Sequence, residues 1–167
     1  MYQSGDLFVY GIHGVCRVIG TEKQLVNRKR TEFLVLQPVS GGESRFYLPT
    51  GNPSAIGKLK KLMTADELKE LLASDVIRRD CWISEENRRK QRYRELISGG
   101  DRISILQMLY ALYRYKESQA AAGKKFHLCD DNFLRDAEKF FVSEISIVLE
   151  MSREEARDYL RGQLCNT

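Results

Sequence analysis

The sequence predicts an α+β chain: a small N-terminal β-barrel domain followed by an all-α helical C-terminal domain. Two observations carry this. Apolar residues alternate, or run in short β-branched and aromatic pieces, up to about residue 50, and then recur at helical spacing from about residue 56 onward. All the strand-like pieces precede the helix-like ones, and elements segregated in this way form separate layers or domains. At 167 residues the chain makes one ordinary domain or two small ones, long enough to bury a core without disulfide or metal staples.

Five pieces, LFVYG, GVCRVIGTE, KQLVNRK, TEFLVLQPV and SRFYLPT, predict four or five short strands. Gly5-Asp6 opens the first, and Gly11 and Gly14 bracket the next turn. Arg28, Lys29 and Arg30 fall at a hairpin tip, where they either solvate a turn or meet an acidic partner surface. Gly41-Gly42 joins the last two pieces as a hairpin. So few short strands leave unpaired edges unless the sheet curls, which is why a barrel is expected. The joint lies in GNPSAIGKLKK, giving domains of residues 1–55 and 56–167.

In the second part, Thr64 and Glu67 form a capping box that starts a helix through LKELLAS. Ser84 is placed to cap a second helix, with Glu85 and Glu86 at its positive end, and Ser98-Gly99-Gly100 stops it. Asp101 caps a third. Its apolar residues Ile103, Ile105, Leu106, Met108, Leu109, Leu112 and Tyr113 cover more than one face, which predicts the buried centre of this domain. After the small basic loop Ala120 to Lys125, Asp130 or Asp131 caps a fourth helix with Leu134, Ala137, Phe141, Ile145 and Val148 at helical spacing. Ser152 and Glu155 form the capping box of a last helix running to about Leu164.

The composition, 43% hydrophobic and 30% charged, is that of a soluble globular protein, and no apolar run approaches the roughly 20 residues that span a bilayer. MYQSGDLFVY carries no basic leader before an apolar stretch, so a cytoplasmic protein is expected. Cys16, Cys81, Cys129 and Cys165 are scattered without CxxC or CxxH pairing, which argues against a zinc site or a disulfide framework. With His13 and His127 far apart and without helix-spaced partners, no metal, no cofactor and no enzymatic activity are expected.

The net charge of +4 is mild, yet five of the seven residues from Arg88 to Arg94 are basic and none is acidic. At about 100° per residue, Tyr93, Leu96 and Ile97 mark the buried stripe of this helix, Arg89 lies at its edge, and Arg88 and Arg92 share the exposed face. Two readings are open: a solvated helix face, or a surface that holds phosphates. The only tryptophan, Trp82, stands just ahead of this run and offers a rigid wedge beside the cations, its other reading being a core or cap residue. Lys124 and Lys125 can touch nucleic acid or solvate a loop. Tyr110, Tyr113 and Tyr115 read as core and rim rather than as a base-stacking platform, and Phe126, Phe133, Phe140 and Phe141 as packing.

The stretches GDLFVYGIHGVCRV, TEFLVL and YLP, followed by a Trp ahead of a basic helix, SGGD, LYRYK, GKKFHL and LRDAEKFFVSEISIVLEM, closely resemble the CarD/CdnL family of bacterial transcription regulators over nearly the whole chain. The resemblance implies a Tudor-like N-terminal domain that binds the RNA polymerase β subunit and a helical C-terminal domain that contacts promoter DNA. It further implies that Trp82 lodges in the minor groove at the upstream edge of the transcription bubble and stabilises the open complex. The family's DNA-contacting helix falls on Arg88, Arg89, Lys90 and Arg92, and its polymerase-contacting strand on Arg45 and Tyr47. ISEEN separates Trp82 from Arg88, roughly one helical turn more than in the better-known branch of that family. An adaptor that binds polymerase and recruits another protein, with Trp82 buried, is the alternative.

Overall fold

A computed structural model describes residues 2–165. Among them the chain runs β1 (Leu7–Tyr10), β2 (Val15–Val26), β3 (Lys29–Pro38), β4 (Phe46–Pro49), α1 (Pro53–Ile56) and β5 (Leu59–Lys61). It continues with α2 (Ala65–Ala73), α3 (Glu86–Gly99), α4 (Arg102–Ala121), α5 (Leu128–Val148) and α6 (Arg153–Cys165). All five strands lie in the first 61 residues and the five longer helices follow them, as the α+β reading requires, with only the one-turn α1 standing between β4 and β5. Two compact units divide between Leu62 and Met63.

The first unit is one antiparallel sheet of order β4-β3-β2-β1-β5. Two predicted pieces, GVCRVIGTE and KQLVNRK, merge into the single strand β2. Only Asn27 and Arg28, with φ of 51° and 64°, are needed to turn the chain into β3, and Val26 then pairs with Lys29. Such a two-residue turn with both φ positive matches the twist of the strands it joins. The fifth strand comes instead from Leu59–Lys61, which pairs with β1. That pairing draws the stretch after residue 55, read from the sequence as the start of the helical domain, into the β unit. The register slips between Val18 and Gly20, a bulge that bends β2.

The core of this unit is Cys16, Val18, Leu34, Leu36 and Leu48, with Phe46 of β4, Leu59 of β5, and Ala55 and Ile56 of α1 packed against it. β4 and β5 stand at opposite ends of the sheet order yet bury residues in one cluster. The sheet therefore curls into a Tudor-like barrel, with α1 packed on the same core. Burial pushes the Cys16 thiol up to about 11, so it stays protonated and inert at neutral pH.

In the second unit α4 packs against α3, α5, α6 and the 3-10 turn Asp75–Ile77, so it is the centre that its all-round apolar sequence predicts. Ile105, Leu106, Met108, Leu109 and Leu112 are buried. The Thr64 box closes in both directions with Glu67, and Asp101 accepts from the Ser104 amide. Two caps differ from expectation. Glu85 rather than Ser84 caps α3, its carboxylate accepting from the amides of Asn87 and Arg88. Asp130 and Asp131 lie inside the first turn of α5, whose N-cap is His127.

Gly100 ends α3 in the left-handed conformation at φ 69° and donates its amide to Leu96 O. Gly100→Ala is expected to cost about 1–2 kcal/mol in urea unfolding, because Cβ opposes that conformation. Gly99→Ala, within the helix and with open space at its Cβ, should instead stabilise by about 0.5–1 kcal/mol. Equal effects at the two positions would refute the assignment of Gly100 as the stop.

No helix among the described residues is long and apolar enough to cross a membrane, and no group of three or more potential metal ligands forms among them.

Candidate nucleic-acid interface

Trp82 lies in the segment that joins the 3-10 turn Asp75–Ile77 to α3, and its amide donates to Asp80 Oδ1 at 3.1 Å. It is half-buried. Its ring stacks on Tyr115 of α4, with centroids 3.8 Å apart and planes at 16°. The Arg89 guanidinium of α3 sits 4.4 Å from the same indole centroid. A ring at 3.8 Å fills one face, so the cation takes the other. Phe126 adjoins Tyr115 in a tilted pair, with centroids 6.3 Å apart and planes at 52°. Both faces of the indole are thus covered, and what it can present outward is an edge.

Arg89 is held as firmly as the ring it covers. It is 5% exposed and its partner Asp130, on α5, is 1% exposed. Nε donates to Asp130 Oδ1 at 2.9 Å and Nη2 to Oδ2 at 3.1 Å, a bidentate pair. Nη1 donates to the carbonyl of Ile83 at 2.9 Å and is within 3.4 Å of that of Ser84. One guanidinium therefore ties α3 to α5, fixes the backbone just after Trp82 and lies on the indole. Arg89 belongs to the frame of the site, and its burial withdraws it from the set of cations able to reach phosphate. Helical spacing put it only at the edge of the buried stripe.

The remaining basic residues of α3 behave differently. Arg88 and Arg94 are exposed and form no ion pair among the described residues, and Arg92 is exposed with its guanidinium 3.7 Å from Glu95. Lys90 approaches Glu86 to 2.8 Å. The hydrogen bond to Lys90 and its charge hold the Glu86 carboxyl below its usual range, and the same contact raises Lys90. Being exposed, that pair is weak and exchangeable against a phosphate. Arg92 also lines a cleft of about 130 Å³ together with Cys81 and Ile83, the two neighbours of Trp82. Arg92 and the two neighbours of Trp82 thus share one cleft despite the intervening ISEEN. Lys124 and Lys125 are exposed in the loop that carries Phe126. Exposed guanidinium and ammonium groups on the helix and loop that adjoin a pinned aromatic edge suit the phosphates and sugar edge of a nucleic-acid groove.

Tyr115, Asp130 and the carbonyl of Ile83 complete this site and carry no sequence signal of their own. Tyr115 could only be read as a rim residue, whereas Tyr110 and Tyr113 are buried as expected.

In the β unit, Tyr47 is 41% exposed on β4 and Arg45 is exposed just before that strand. Phe46 and Leu48 alternate with them into the core. β4 is an edge strand, so its outer backbone groups have no strand partner within the sheet.

Residues 2–60 match the family model described as the CarD-like/TRCF RID domain, and residues 67–161 match the CarD C-terminal domain. Among curated proteins the chain finds no match.

Proposed function

The chain belongs to the CarD family of RNA polymerase-interacting transcription regulators, and from that premise we propose that its β unit docks on the polymerase β subunit while its helical unit holds promoter DNA at the upstream edge of the bubble, stabilising the open complex. The observation that carries the DNA half is the pinned Trp82, whose neighbours Cys81 and Ile83 share a cleft with the exposed Arg92 of the helix that also carries the exposed Arg88. An indole clamped on both faces cannot intercalate between bases. It acts as a rigid edge-on plug in a minor groove already opened at the bubble boundary, where little pairing remains to be lost. Arg88, Lys90 and Arg92, with Lys124 and Lys125, hold the phosphates without reading sequence. In the β unit, Arg45 just before β4 and Tyr47 on it mark an edge strand whose outer backbone groups suit strand addition by a partner. A modest DNA-binding surface suffices once polymerase contact raises the local DNA concentration.

The covered faces of Trp82 also favour a second reading, an adaptor that binds polymerase and recruits another protein without touching DNA. Open-complex lifetime on a promoter with purified polymerase separates the two. For the DNA-holding reading, the wild type lengthens that lifetime, Trp82→Ala loses most of the effect, and Arg88→Ala with Arg92→Ala flattens the salt dependence by about two units of slope. Variants that match the wild type while still binding polymerase would leave the adaptor. Polymerase binding unchanged by Arg45→Glu with Tyr47→Ala would move the docking site elsewhere on the β unit.

A further inference from the structure

A second charged surface lies on the helical unit, formed by residues that the proposed DNA site does not use, with Lys116 beside the Phe126 ring. A groove of about 380 Å³ runs between α4, α5 and α6. Six cations line it, Lys116, Arg135, Lys139, Arg153, Arg157 and Arg161, against two carboxylates, Asp131 and Glu138. With Asp136, which pairs with Lys139 from outside the lining, the local excess is three positive charges.

The two carboxylates organise the cations without neutralising them. Asp131 is shared, with Lys116 Nζ 3.4 Å from one oxygen and Arg135 Nη2 3.0 Å from the other. Glu138, 4% exposed at the base, accepts from Tyr113 Oη at 2.7 Å and from Arg161 Nε at 3.0 Å, with Arg157 Nε at 3.6 Å. Each carboxylate thus positions two cations, Lys139 Nζ lies 3.9 Å from Asp136 Oδ1 outside the lining, and Arg153, at the positive end of α6, forms no ion pair among the described residues. Like charges crowded this closely raise one another's energy, which a multiply charged anion would relieve. Four of the six are arginines, whose planar forks match phosphate oxygens. The uncharged lining is only Leu134 and Val142, with no aromatic ring on which a base could stack.

We propose that this groove is a binding site for a short phosphate chain, free or as the polyphosphate end of a larger molecule, recognised through its charge and oxygens alone. The cations converge on one volume from three helices. A duplex backbone, by contrast, spreads its charges along a convex cylinder, one per about 1.7 Å of axis.

Calorimetric titration of the full chain with sodium tripolyphosphate, in about 0.1 M KCl and without DNA or polymerase, tests the proposal. One tripolyphosphate should bind per chain, much more tightly than orthophosphate. Arg153→Ala with Arg157→Ala, both exposed and leaving the Arg161–Glu138 pair in place, should weaken it by about tenfold or more. Arg88→Ala with Arg92→Ala removes the same charge from α3 and should change it less than about twofold. Equal weakening by both pairs of substitutions would reduce the effect to bulk charge and overturn the site. So would absence of binding at millimolar probe, or a loss of duplex-DNA affinity in the Arg153/Arg157 variant as large as its loss for tripolyphosphate. Because no DNA or polymerase is present in the main titration, its failure would leave the open-complex reading standing, and the converse also holds.

Discussion

Arg89→Ala is expected to destabilise the helical unit by about 3 kcal/mol or more in urea unfolding, because it leaves the Asp130 carboxyl, 1% exposed, without its bidentate partner. The carbonyl of Ile83 loses a donor as well, and the indole loses the cation on one face. The variant should therefore show a red-shifted, more mobile Trp82 fluorescence even under conditions where it remains folded. Arg89→Lys should recover only part of the loss, since an ammonium cannot reach both Asp130 oxygens and Ile83 O in the geometry of the fork. Asp130→Asn combined with Arg89→Met, which removes both charges, should be less damaging than Arg89→Ala alone. An Arg89→Ala protein as stable as Arg88→Ala, itself expected within about 0.5 kcal/mol of wild type, would contradict the buried pair. The contrast also separates framing from contact. Arg88→Ala should weaken DNA with the fold intact, while Arg89→Ala should weaken it by loosening Trp82.

Glu144→Ala should be of comparable size, again about 3 kcal/mol. Its carboxylate is fully buried on α5. It accepts from Arg102 Nη2 at 2.7 Å and Nε at 3.3 Å, and from the Met63 amide at 3.2 Å. It thereby joins the first residue of the helical unit and the start of α4 to the C-terminal part of α5. Removing it takes the main counter-charge from the partly buried Arg102 guanidinium and a partner from a backbone donor. Glu144→Gln keeps the shape and one acceptor and should cost less. Limited proteolysis offers a second readout: the segment around Met63 should become cleavable in Glu144→Ala while the β unit, whose core shares none of these residues, stays resistant. A proteolysis pattern unchanged from wild type would show that Met63 is held by other contacts.

The legible and illegible parts of this protein divide by the range of the forces involved. Caps at Thr64 and Asp101 and the stop at Gly100 were visible because each is satisfied within one turn of helix. Ser84 for α3, and Asp130 or Asp131 for α5, stand one to four residues from the caps Glu85 and His127 for the same local reason. Several oxygen-bearing side chains stand near each helix start, and the tertiary fold chooses among them, capping α3 with Glu85 and committing Asp130 to Arg89. β5 was hidden because LKK has no alternating pattern and becomes a strand only through pairing with β1.

By itself the sequence determined that a strand-rich part precedes a helical one, the buried identity of α4, and the conjunction of a lone tryptophan with a basic helix. These are properties of periodicity and composition, readable along the chain. Only the tertiary structure decided that Arg89 is frame rather than contact, that Tyr115 backs the indole, and that six cations gather around Asp131 and Glu138. The physical reason is that a charged residue goes inside only when a partner compensates its desolvation. For Arg89 that partner lies 41 residues away on another helix, where no local pattern can announce it.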